Sequence, residues 1–264
     1  TPGKDISVAY CPERVLPGQI LRELKTNARI VGGITESCAQ KVADFYRAIV
    51  DAPIHQTLAT IAETSKLVEN SYRDVNIAFA NEVSLFCAEL GIDHREVIKL
   101  ANHHPRVKIL NPGPGVGGHC IAVDPWFLVE AAPNTTHLIR TAREVNLTKT
   151  RYVVETIRAA VAKRFKESGK FQTIVLYGMA YKPNVADFRE SPAVEVYHDL
   201  TRSLGNMASV LAIDPHLNAE SAAQISINLA PSEHAKEATP LRVMLVRHRD
   251  FEPFLKSMDL DFSV

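Results

Sequence analysis

Several features that define specialised classes of protein are scarce in this sequence. Its 264 residues include only four cysteines, and none belongs to a CxxC pair. This count and spacing exclude a disulfide scaffold and argue against a structural zinc site. Because they indicate a reducing compartment, we expect a cytoplasmic protein. No apolar run approaches the roughly 20 residues that a membrane-spanning helix needs, so we expect no membrane partner.

An excess of either charge is also lacking. The chain carries 30 basic and 30 acidic side chains, with a formal net charge of +0. This balance gives no bulk positive field for nucleic acid, but it is compatible with a local basic pocket for a small anion. Hydrophobic residues make up 46% and charged residues 23% of the chain, as in an ordinary globular protein. The length suggests about two domains.

The first residues contain neither a starting Met nor a charged and apolar signal segment. Residues 6–10 instead predict a buried strand almost at once. Because a domain rarely begins inside its own core strand, we expect this sequence to be a piece of a longer chain.

The first region, residues 1–60, alternates between strand and helix patterns. A helix is predicted over 38–50, with Thr35 or Ser37 as its cap and Phe45 on its apolar face. Strands are predicted over 6–10, 29–34 and 53–58.

The second region, residues 61–150, is mainly helical. A long stretch without Pro or Gly ends at Gly91, which predicts one long helix and its stop. Asp93 is expected to cap a shorter helix, and Asp124 is expected to cap another, with Pro125 in its first turn.

The third region, residues 151–264, alternates again. Ser191 and Pro192 begin a predicted helix, and another is expected near 250–258. Strands are predicted over 173–177, 209–213 and 242–246. This order implies a parallel sheet, and ligands of such sheets bind where the strands end. Those ends lie at 177–182, 214–216 and 247–248.

A glycine-rich loop lies in the second region. Gly113, Gly115 and Gly118 satisfy G-x-G-x-x-G, the pattern of a dinucleotide-binding turn. We reject that interpretation because Pro114 interrupts the loop and no helix begins directly after it. Two alternatives stay open, a backbone that approaches another group closely and a plain flexible loop.

Cys120 closes this loop. A lone cysteine is usually a small buried hydrophobe. Here two glycines precede it, His119 adjoins it and Asp124 follows near a helix start, a setting that favours a reactive thiolate. A zinc site made with His103, His104 and His119 is disfavoured by its spacing.

Two further groups carry charges that suit an anion. Lys66, Asn70 and Arg73 have the spacing of one helix face, which is either a solvated stripe or a lining for an oxyanion or phosphate. Lys182 and Arg189 lie between a strand and a helix N-terminus, which is either an anion site or an exposed charged loop.

Together these residues are more specific than any one of them. The sequence resembles the UDP-sugar 6-dehydrogenases, the nucleotide-sugar dehydrogenases that make UDP-uronic acids, over almost its whole length. The motifs that match in order and spacing are Cys11-Pro-Glu-Arg14, Glu63-Thr-Ser-Lys-Leu-Val-Glu-Asn70, Gly117-Gly-His-Cys-Ile-Ala-Val-Asp124 and Tyr181-Lys182…Asp187-Phe-Arg-Glu-Ser191. Within the family, the longer runs from Cys11 to Gly18 and from Asn111 to Trp126 are similar to the branch that acts on UDP-N-acetyl-D-mannosamine.

The resemblance implies an architecture. It predicts a remnant of a Rossmann NAD domain over 1–60, a central helical domain over 61–150 and a Rossmann-like UDP-sugar-binding domain over 151–264. The central helices would form a homodimer, and the central domain would carry the catalytic cysteine.

The resemblance also implies a mechanism. NAD oxidises an alcohol twice, through an aldehyde to a carboxylate, to supply a precursor for polysaccharide synthesis. Cys120 would attack the aldehyde, and the resulting thiohemiacetal would become a thioester that water hydrolyses. Lys66 and Asn70 would hold the oxyanion, Asp124 would orient Lys66 or the water, and Glu13 would be the general base.

Binding roles follow from the same resemblance. Arg189 would reach the NAD. The UDP-sugar would be surrounded by Arg14, Val15, Lys66, Asn70, Arg73, His104, Arg106 and Gly117, with Tyr181, Lys182 and Arg247 on the nucleotide.

One departure from the family is that the strand, G-x-G-x-x-G turn and helix that bind the NAD phosphates are absent from this sequence. We therefore expect the 264-residue chain alone not to turn over NAD. Alternatives are a UDP-glucose or UDP-N-acetylglucosamine 6-dehydrogenase, a non-catalytic UDP-sugar-binding module, and a Cys/His hydrolase or acyltransferase. The run Arg247-His248-Arg249 has no role that the sequence assigns.

Overall fold

A computed structural model describes residues 1–15, 19–230 and 240–263. The chain divides into two compact units, Thr1–Asn70 and Ser71–Val264. The last three residues of the Cys11–Gly18 motif lie outside the described residues. Within the described part of the chain, no helix has the length and apolar character needed to cross a membrane.

The first unit contains a small mixed sheet. Its strands are β1 (Ala9–Tyr10), β2 (Arg29–Gly33) and β3 (Ile54–Leu58), in the order β1-β2-β3. β2 and β3 are parallel, whereas β1 runs antiparallel to β2. Its helices are α1 (Ile20–Thr26) and α2 (Glu36–Arg47). The predicted cap of α2 is confirmed at Thr35, whose hydroxyl accepts a hydrogen bond from the Cys38 N–H at 3.2 Å.

Two predictions for this unit are wrong. The buried strand over 6–10 is reduced to Ala9–Tyr10, and Ile6 is 64% exposed, because these residues form a short edge strand. Phe45 is also 64% exposed, and α2 buries small residues such as Ala39 instead. The cause is close packing, since a Cβ on Gly33 would lie 2.3 Å from the Ala39 nitrogen.

The predicted long helix is confirmed as α3 (Ala59–Leu90), which contains the boundary between the units. It ends before Gly91, whose φ of 67° is in the left-handed region that glycine tolerates. The next helices in the chain are α4 (His94–Ala101), α5 (Asp124–Ala131) and α6 (His137–Ser168).

A local signal sets the start of α4, whereas the signal predicted for α5 is displaced by one residue. Asp93 caps α4, accepting a hydrogen bond from the Arg95 N–H at 2.9 Å. The predicted cap at Asp124 is wrong, because Val123 precedes the helix and Asp124 is its first residue. Pro125 then occupies the second position, where its missing N–H costs no helical hydrogen bond.

The rest of the second unit contains a four-stranded sheet, which confirms the predicted parallel arrangement. Its strands lie in the order β5-β4-β6-β7 and are all parallel. They are β4 (Gln172–Tyr177), β5 (Ala208–Ile213), β6 (Leu241–Met244) and β7 (Leu260–Asp261). The accompanying helices are α7 (Pro192–Leu204) and α8 (Ala219–Gln224). The helix predicted near 250–258 is a 3-10 segment, Arg249–Ser257, with Pro253 inside it.

The core of this unit lies against both faces of β4. Ile174 and Leu176 face one cluster, which includes Leu200 of α7, and Val175 faces the other. A parallel strand covered on both faces needs apolar residues at every position, which explains the continuous run that the sequence shows. The carboxyl ends of β4, β5 and β6 are thereby brought to one edge of the sheet.

Candidate functional site

A cleft of about 340 Å³ opens at this edge, within the second unit. One of its walls is the glycine loop, and the other is the loop that follows β4. The residues that line it are Arg73, Ile77, Leu110, Asn111, Gly113–Gly117, Ile121, Ala180–Pro183, Pro192, Ala193 and Val246. Among them the charged side chains are Arg73 and Lys182, both cationic, so the cleft suits an anion although the chain is neutral overall.

The glycine loop packs against the chain's own backbone. A Cβ on Gly117 would lie 2.4 Å from the Glu190 carbonyl oxygen and 2.6 Å from Pro192 Cδ. Gly115 has a φ of 153°, and its Cβ would lie 2.3 Å from Thr150 Oγ1. The loop therefore needs glycine for a close approach to neighbouring residues, which favours that interpretation over a plain flexible loop.

A buried network of hydrogen bonds between side chains of α3 and α6 holds this loop, and the sequence analysis did not predict it. The Gly113 N–H donates to Asn81 Oδ1 at 2.9 Å, and Asn81 Nδ2 donates to Asn146 Oδ1 at 2.9 Å. Asn146 in turn donates to Asp74 at 2.8 Å, and Arg143 donates to the same Asp74 oxygen at 2.6 Å. Burial raises the pKa of the Asp74 carboxyl, and Arg143 offsets that effect only in part. The available signal was polar residues at helical spacing on both α3 and α6.

A buried carboxylate, that of Asp214, anchors the loop after β4 that forms the opposite wall. Asp214, which follows β5, accepts hydrogen bonds from the N–H groups of Met179 at 2.7 Å and Ala180 at 3.2 Å. Its other oxygen accepts from the His216 N–H at 2.8 Å. Burial alone would raise its pKa, but the hydrogen bonds, that of His248 foremost, hold it below the usual value. Asp214 therefore stays ionised at neutral pH and fixes the start of the loop that carries Lys182.

Within that loop, Tyr181 and Lys182 lie together. The Tyr181 N–H donates to the Asp187 carbonyl at 3.0 Å, and Lys182 Nζ lies 5.3 Å from the centre of the Tyr181 ring. The tyrosine ring also covers Gly118, since a Cβ there would lie 3.1 Å from Tyr181 Cε2. Tyr181 thus connects the two walls of the cleft.

Cys120 is exposed at the end of the glycine loop, and its neighbour Ile121 lines the cleft. Its carbonyl accepts hydrogen bonds from the N–H groups of Val123 and Asp124, at 3.1 and 2.8 Å, in the turn that precedes α5. By contrast, Cys38 and Cys87 are buried. Cys120 is therefore an accessible thiol rather than a core residue. No group of three or more His, Cys, Asp or Glu in the described part of the chain could hold a metal ion.

Several predicted site residues do not line the cleft. His104 and Arg106 are exposed beyond α4, where the Arg106 N–H donates to His104 Nδ1 at 3.3 Å. Arg247 lies 3.7 Å from the Asp261 carboxylate. The Arg189 guanidinium makes two hydrogen bonds to Asp187, at 2.9 and 2.7 Å. Their assignments to substrate and cofactor stay predictions.

The first unit holds the remaining predicted residues. Glu13 Oε1 accepts from the N–H groups of Arg14 and Val15, at 2.7 and 3.0 Å, and Oε2 accepts from buried Arg29 at 3.2 Å. Burial raises the pKa of Glu13, but these hydrogen bonds outweigh it and keep the pKa below its usual value. Arg14 also pairs with Glu69 at 3.0 Å. The contact of Arg29 with Glu13 is one that the sequence did not reveal.

Lys66 and Asn70 also belong to the first unit, on α3. Lys66 is half-buried, and Asn70 is 6% exposed. Arg73 follows them on the same helix and belongs to the second unit, where it lines the cleft. The proposed action of Lys66 and Asn70 on the reaction at Cys120 stays a prediction.

Three domain profiles of one family match the chain. They describe the UDP-glucose/GDP-mannose dehydrogenase family, with its NAD binding domain over residues 1–50, its central domain over 60–148 and its UDP binding domain over 175–261. The chain belongs to this family.

Individual relatives support the same assignment. Over 94% of its length the chain is 49% identical to an NDP-N-acetyl-D-galactosaminuronic acid dehydrogenase of Ralstonia nicotianae, of which it covers 57%. It is 45% identical, again over 94% of its length, to a UDP-N-acetyl-D-mannosamine dehydrogenase of Escherichia coli, of which it covers 60%. A solved UDP-D-ManNAc dehydrogenase from Pyrococcus horikoshii matches with a TM-score of 0.84 and 36% identity, over 99% of this chain and 62% of that one. The chain therefore spans about three fifths of the length of these relatives.

The first unit fits part of an NAD site. β2 and β3 are parallel and α2 begins just after β2, which is the edge where a doubly wound sheet binds its ligand. The pyrophosphate needs a glycine turn with open space above its backbone. Gly32 and Gly33 at the end of β2 lack that space, because Cβ atoms there would meet Ala62 and Ala39 within 2.5 Å. The residues present thus suit the sheet edge of such a site but not its phosphate cradle.

Proposed function

We propose that this chain forms the UDP-sugar-binding and catalytic part of an NAD-dependent UDP-sugar 6-dehydrogenase. The proposed reaction is the two-step oxidation of UDP-N-acetyl-D-mannosamine to UDP-N-acetyl-D-mannosaminuronate. The observation that carries this proposal is a cleft with two cations, Arg73 and Lys182, beside a loop that ends in the exposed Cys120. Diphosphate oxygens would receive charge-assisted hydrogen bonds from the cations, which leaves the sugar toward the thiol.

The chemistry proposed for the site centres on Cys120. Its thiolate adds to the aldehyde carbon to give a thiohemiacetal, whose oxidation leaves a thioester, and water then releases the carboxylate and the thiol. A bound NAD, which Arg189 would contact by the family resemblance, would supply the hydride acceptor for both oxidations. Glu13 would accept a proton from the attacking water, and its lowered pKa keeps it ionised for that role. By the family resemblance, Lys66 and Asn70 would stabilise the oxyanion and Asp124 would orient the water or Lys66.

A second substrate has specific support. The relative with 49% identity is named for NDP-N-acetyl-D-galactosaminuronic acid, whereas the mannosamine enzyme of Escherichia coli is 45% identical. A nucleotide sugar of the N-acetylgalactosamine series is therefore the competing substrate. Kinetics of the complete gene product with each of the two nucleotide sugars would decide between them. We expect UDP-N-acetyl-D-mannosamine to have the higher kcat/KM.

A homodimer is also proposed from the resemblance. Exposed apolar residues on α3 would supply the contact surface for it. They are Val68, Tyr72, Phe79, Phe86 and Leu90.

The nucleophile is tested by Cys120→Ser in the complete gene product. We expect turnover to fall by at least about a thousandfold, because a hydroxyl is a much weaker nucleophile than a thiolate near neutral pH, while UDP affinity stays within about twofold. Steady-state kinetics and calorimetry measure the two effects. Iodoacetamide should label Cys120 first, and the UDP-sugar should protect it.

The matched control is Cys87→Ser, which alters a buried thiol and should keep turnover. Cys38 is a sharper comparison, because its hydrogen bond with Thr35 lowers its pKa although the side chain is only 1% exposed. If Cys38 or Cys11 labelled first and its loss stopped turnover, the thioester mechanism would be wrong for this chain.

A further inference from the structure

The run Arg247-His248-Arg249 acquires a role in the fold through its histidine. His248 follows β6, and its side chain is 0% exposed. Both of its ring nitrogens have hydrogen-bond partners. Nε2 lies 3.1 Å from Asp214 Oδ2, and Nδ1 lies 3.0 Å from the backbone nitrogen of Asn184, which donates to it.

These partners fix the state of the ring. A backbone N–H can only donate, so Nδ1 must carry a lone pair. Nε2 must then carry the hydrogen, which it donates to the Asp214 carboxylate. The histidine is neutral in this arrangement, and each nitrogen serves a different segment of the cleft wall.

The segment on the Nδ1 side is held in an unfavourable backbone conformation. Asn184 has a φ of 59°, in the left-handed region, which asparagine tolerates better than most residues but which still costs free energy that the surroundings must offset. Its side-chain oxygen accepts a second hydrogen bond, from the Arg249 N–H at 2.9 Å. The loop is therefore tied to residues 248–249 at two points.

Asn184 immediately follows residues that line the cleft. Lys182 and Pro183 line the cleft, and Asn184 is the next residue. On the other side of the wall, Met179 and Ala180 are bonded to Asp214, the same carboxylate that holds His248. The Lys182 loop is thus fastened at both ends to one buried pair.

We propose that His248 is a positioning residue for nucleotide binding, which holds the 181–184 loop so that Lys182 meets the phosphates of the ligand. This inference rests on the proposed function, in which the cleft binds the UDP moiety. His248 acts through the loop and does not touch the ligand. Its hydrogen bond with the Asn184 N–H fixes the conformation of the loop, and its hydrogen bond to Asp214 fixes the orientation of the imidazole ring.

Two substitutions separate these hydrogen bonds. In His248→Asn, the amide oxygen can take the place of Nδ1 and accept from Asn184, while the bond to Asp214 is lost. In His248→Gln, the amide nitrogen can take the place of Nε2 and donate to Asp214, while the bond to Asn184 is lost. Both variants also lose the ring contacts with His216 and Phe251, whose centroids lie 5.0 and 5.6 Å away.

The affinity for UDP, measured by calorimetry on the complete gene product, is the readout. We expect His248→Gln to weaken UDP binding by about fivefold or more and His248→Asn to stay within about twofold of wild type. Melting temperatures of the two variants should fall by similar amounts. A purely structural histidine would instead make the affinity follow the melting temperature in both variants, and that result would overturn the proposal.

Further variants separate this inference from the proposed function. Lys182→Ala should weaken UDP binding by about tenfold, and if the wild-type protein did not bind UDP the proposed function itself would fail. A wild-type protein that binds UDP, with Lys182→Ala weakened and His248→Gln unchanged, contradicts only the positioning role. If His248→Gln does not fold, His248→Leu replaces it, because leucine is apolar and cannot accept the hydrogen bond from the Asn184 N–H. We expect that variant to bind UDP at least about threefold more weakly than His248→Asn, and equal affinities would overturn the inference.

Discussion

The glycine loop and the loop after β4 form opposite walls of one cleft, but different contacts hold them. The glycine loop is held by close packing against Pro192 and by a neutral amide, Asn81, which bonds to the Gly113 N–H. The loop after β4 is held by an ionised carboxylate and an imidazole, Asp214 and His248.

The difference has a consequence for what each wall tolerates. Packing at van der Waals distance leaves no room for an added carbon, so the glycine wall is sensitive to volume. Hydrogen bonds to a carboxylate and an imidazole hold the other wall, so that wall is sensitive to the loss of a donor or an acceptor. Substitutions that change one property at a time therefore test the comparison.

Gly117→Ala should have the largest effect. The added Cβ would lie 2.4 Å from the Glu190 carbonyl and 3.0 Å from Tyr181 Cβ, so the two walls would have to separate. We expect the free energy of unfolding to fall by about 3 kcal/mol and UDP binding to weaken with it. Urea unfolding and calorimetry measure both changes.

The control is Gly169→Ala at the end of α6. Gly169 has a φ of 63°, and a Cβ there would have nothing within 4 Å, so its cost is backbone strain alone. We expect the free energy of unfolding to fall by about 1 kcal/mol and the UDP affinity to stay unchanged. Equal losses at the two glycines would show that packing does not hold the glycine wall.

Asn81→Ala should have the next largest effect. It removes the acceptor of the buried Gly113 N–H and the donor to Asn146, which leaves polar groups unpaired. We expect a loss of about 2 kcal/mol in the free energy of unfolding, measured with urea. Asn76→Ala on the same helix is the control, since its amide donates to the Tyr72 carbonyl of that helix, and the loss in the free energy of unfolding should stay within about 0.5 kcal/mol. Similar losses for the two asparagines would count against the network as the anchor.

The sequence predicted what local signals specify. The start of α7 at Ser191 and Pro192 was predicted correctly, because a capping side chain and a following proline act within one turn. The strand β4 was predicted correctly because a continuous apolar run is also a local pattern. The exposure of Phe45 was not predicted, because it depends on how closely α2 approaches Gly33.

The anchors of the cleft could not be predicted from local patterns. His248 lies 64 residues from Asn184 and 34 from Asp214, and Arg143 lies 69 from Asp74. Such pairs depend on which strand ends and helix faces the fold brings together. The predicted residues Arg73, Gly117, Tyr181 and Lys182 meet at one cleft, whereas no local pattern specified how the anchors that position them pair with one another.

Lys149→Met should have the smallest effect, with a sign opposite to the others. Lys149 is 5% exposed on α6 and donates to Ser84 Oγ at 2.7 Å, and Ser84 Oγ donates in turn to the carbonyl of Asn81 in the network at 2.6 Å. Burial lowers its pKa from 10.5 to about 8. Keeping it charged at pH 7 therefore costs at most about 3 kcal/mol, which the bond to Ser84 offsets in part. We expect the variant to be more stable than wild type by about 1 kcal/mol at pH 7.

The pH dependence distinguishes this cost from a packing effect. Between pH 8 and 10.5 the unfolded chain binds a proton at Lys149 that the folded chain has released, so wild-type stability gains relative to the variant as pH rises through this range. The advantage of Lys149→Met should therefore shrink between pH 7 and pH 10 in paired urea titrations. Exposed Lys163 on the same helix is the control, where the same substitution should change stability by no more than about 0.5 kcal/mol at pH 7. An advantage that stayed constant with pH would mean that burial of the Lys149 charge is not what destabilises the wild-type protein.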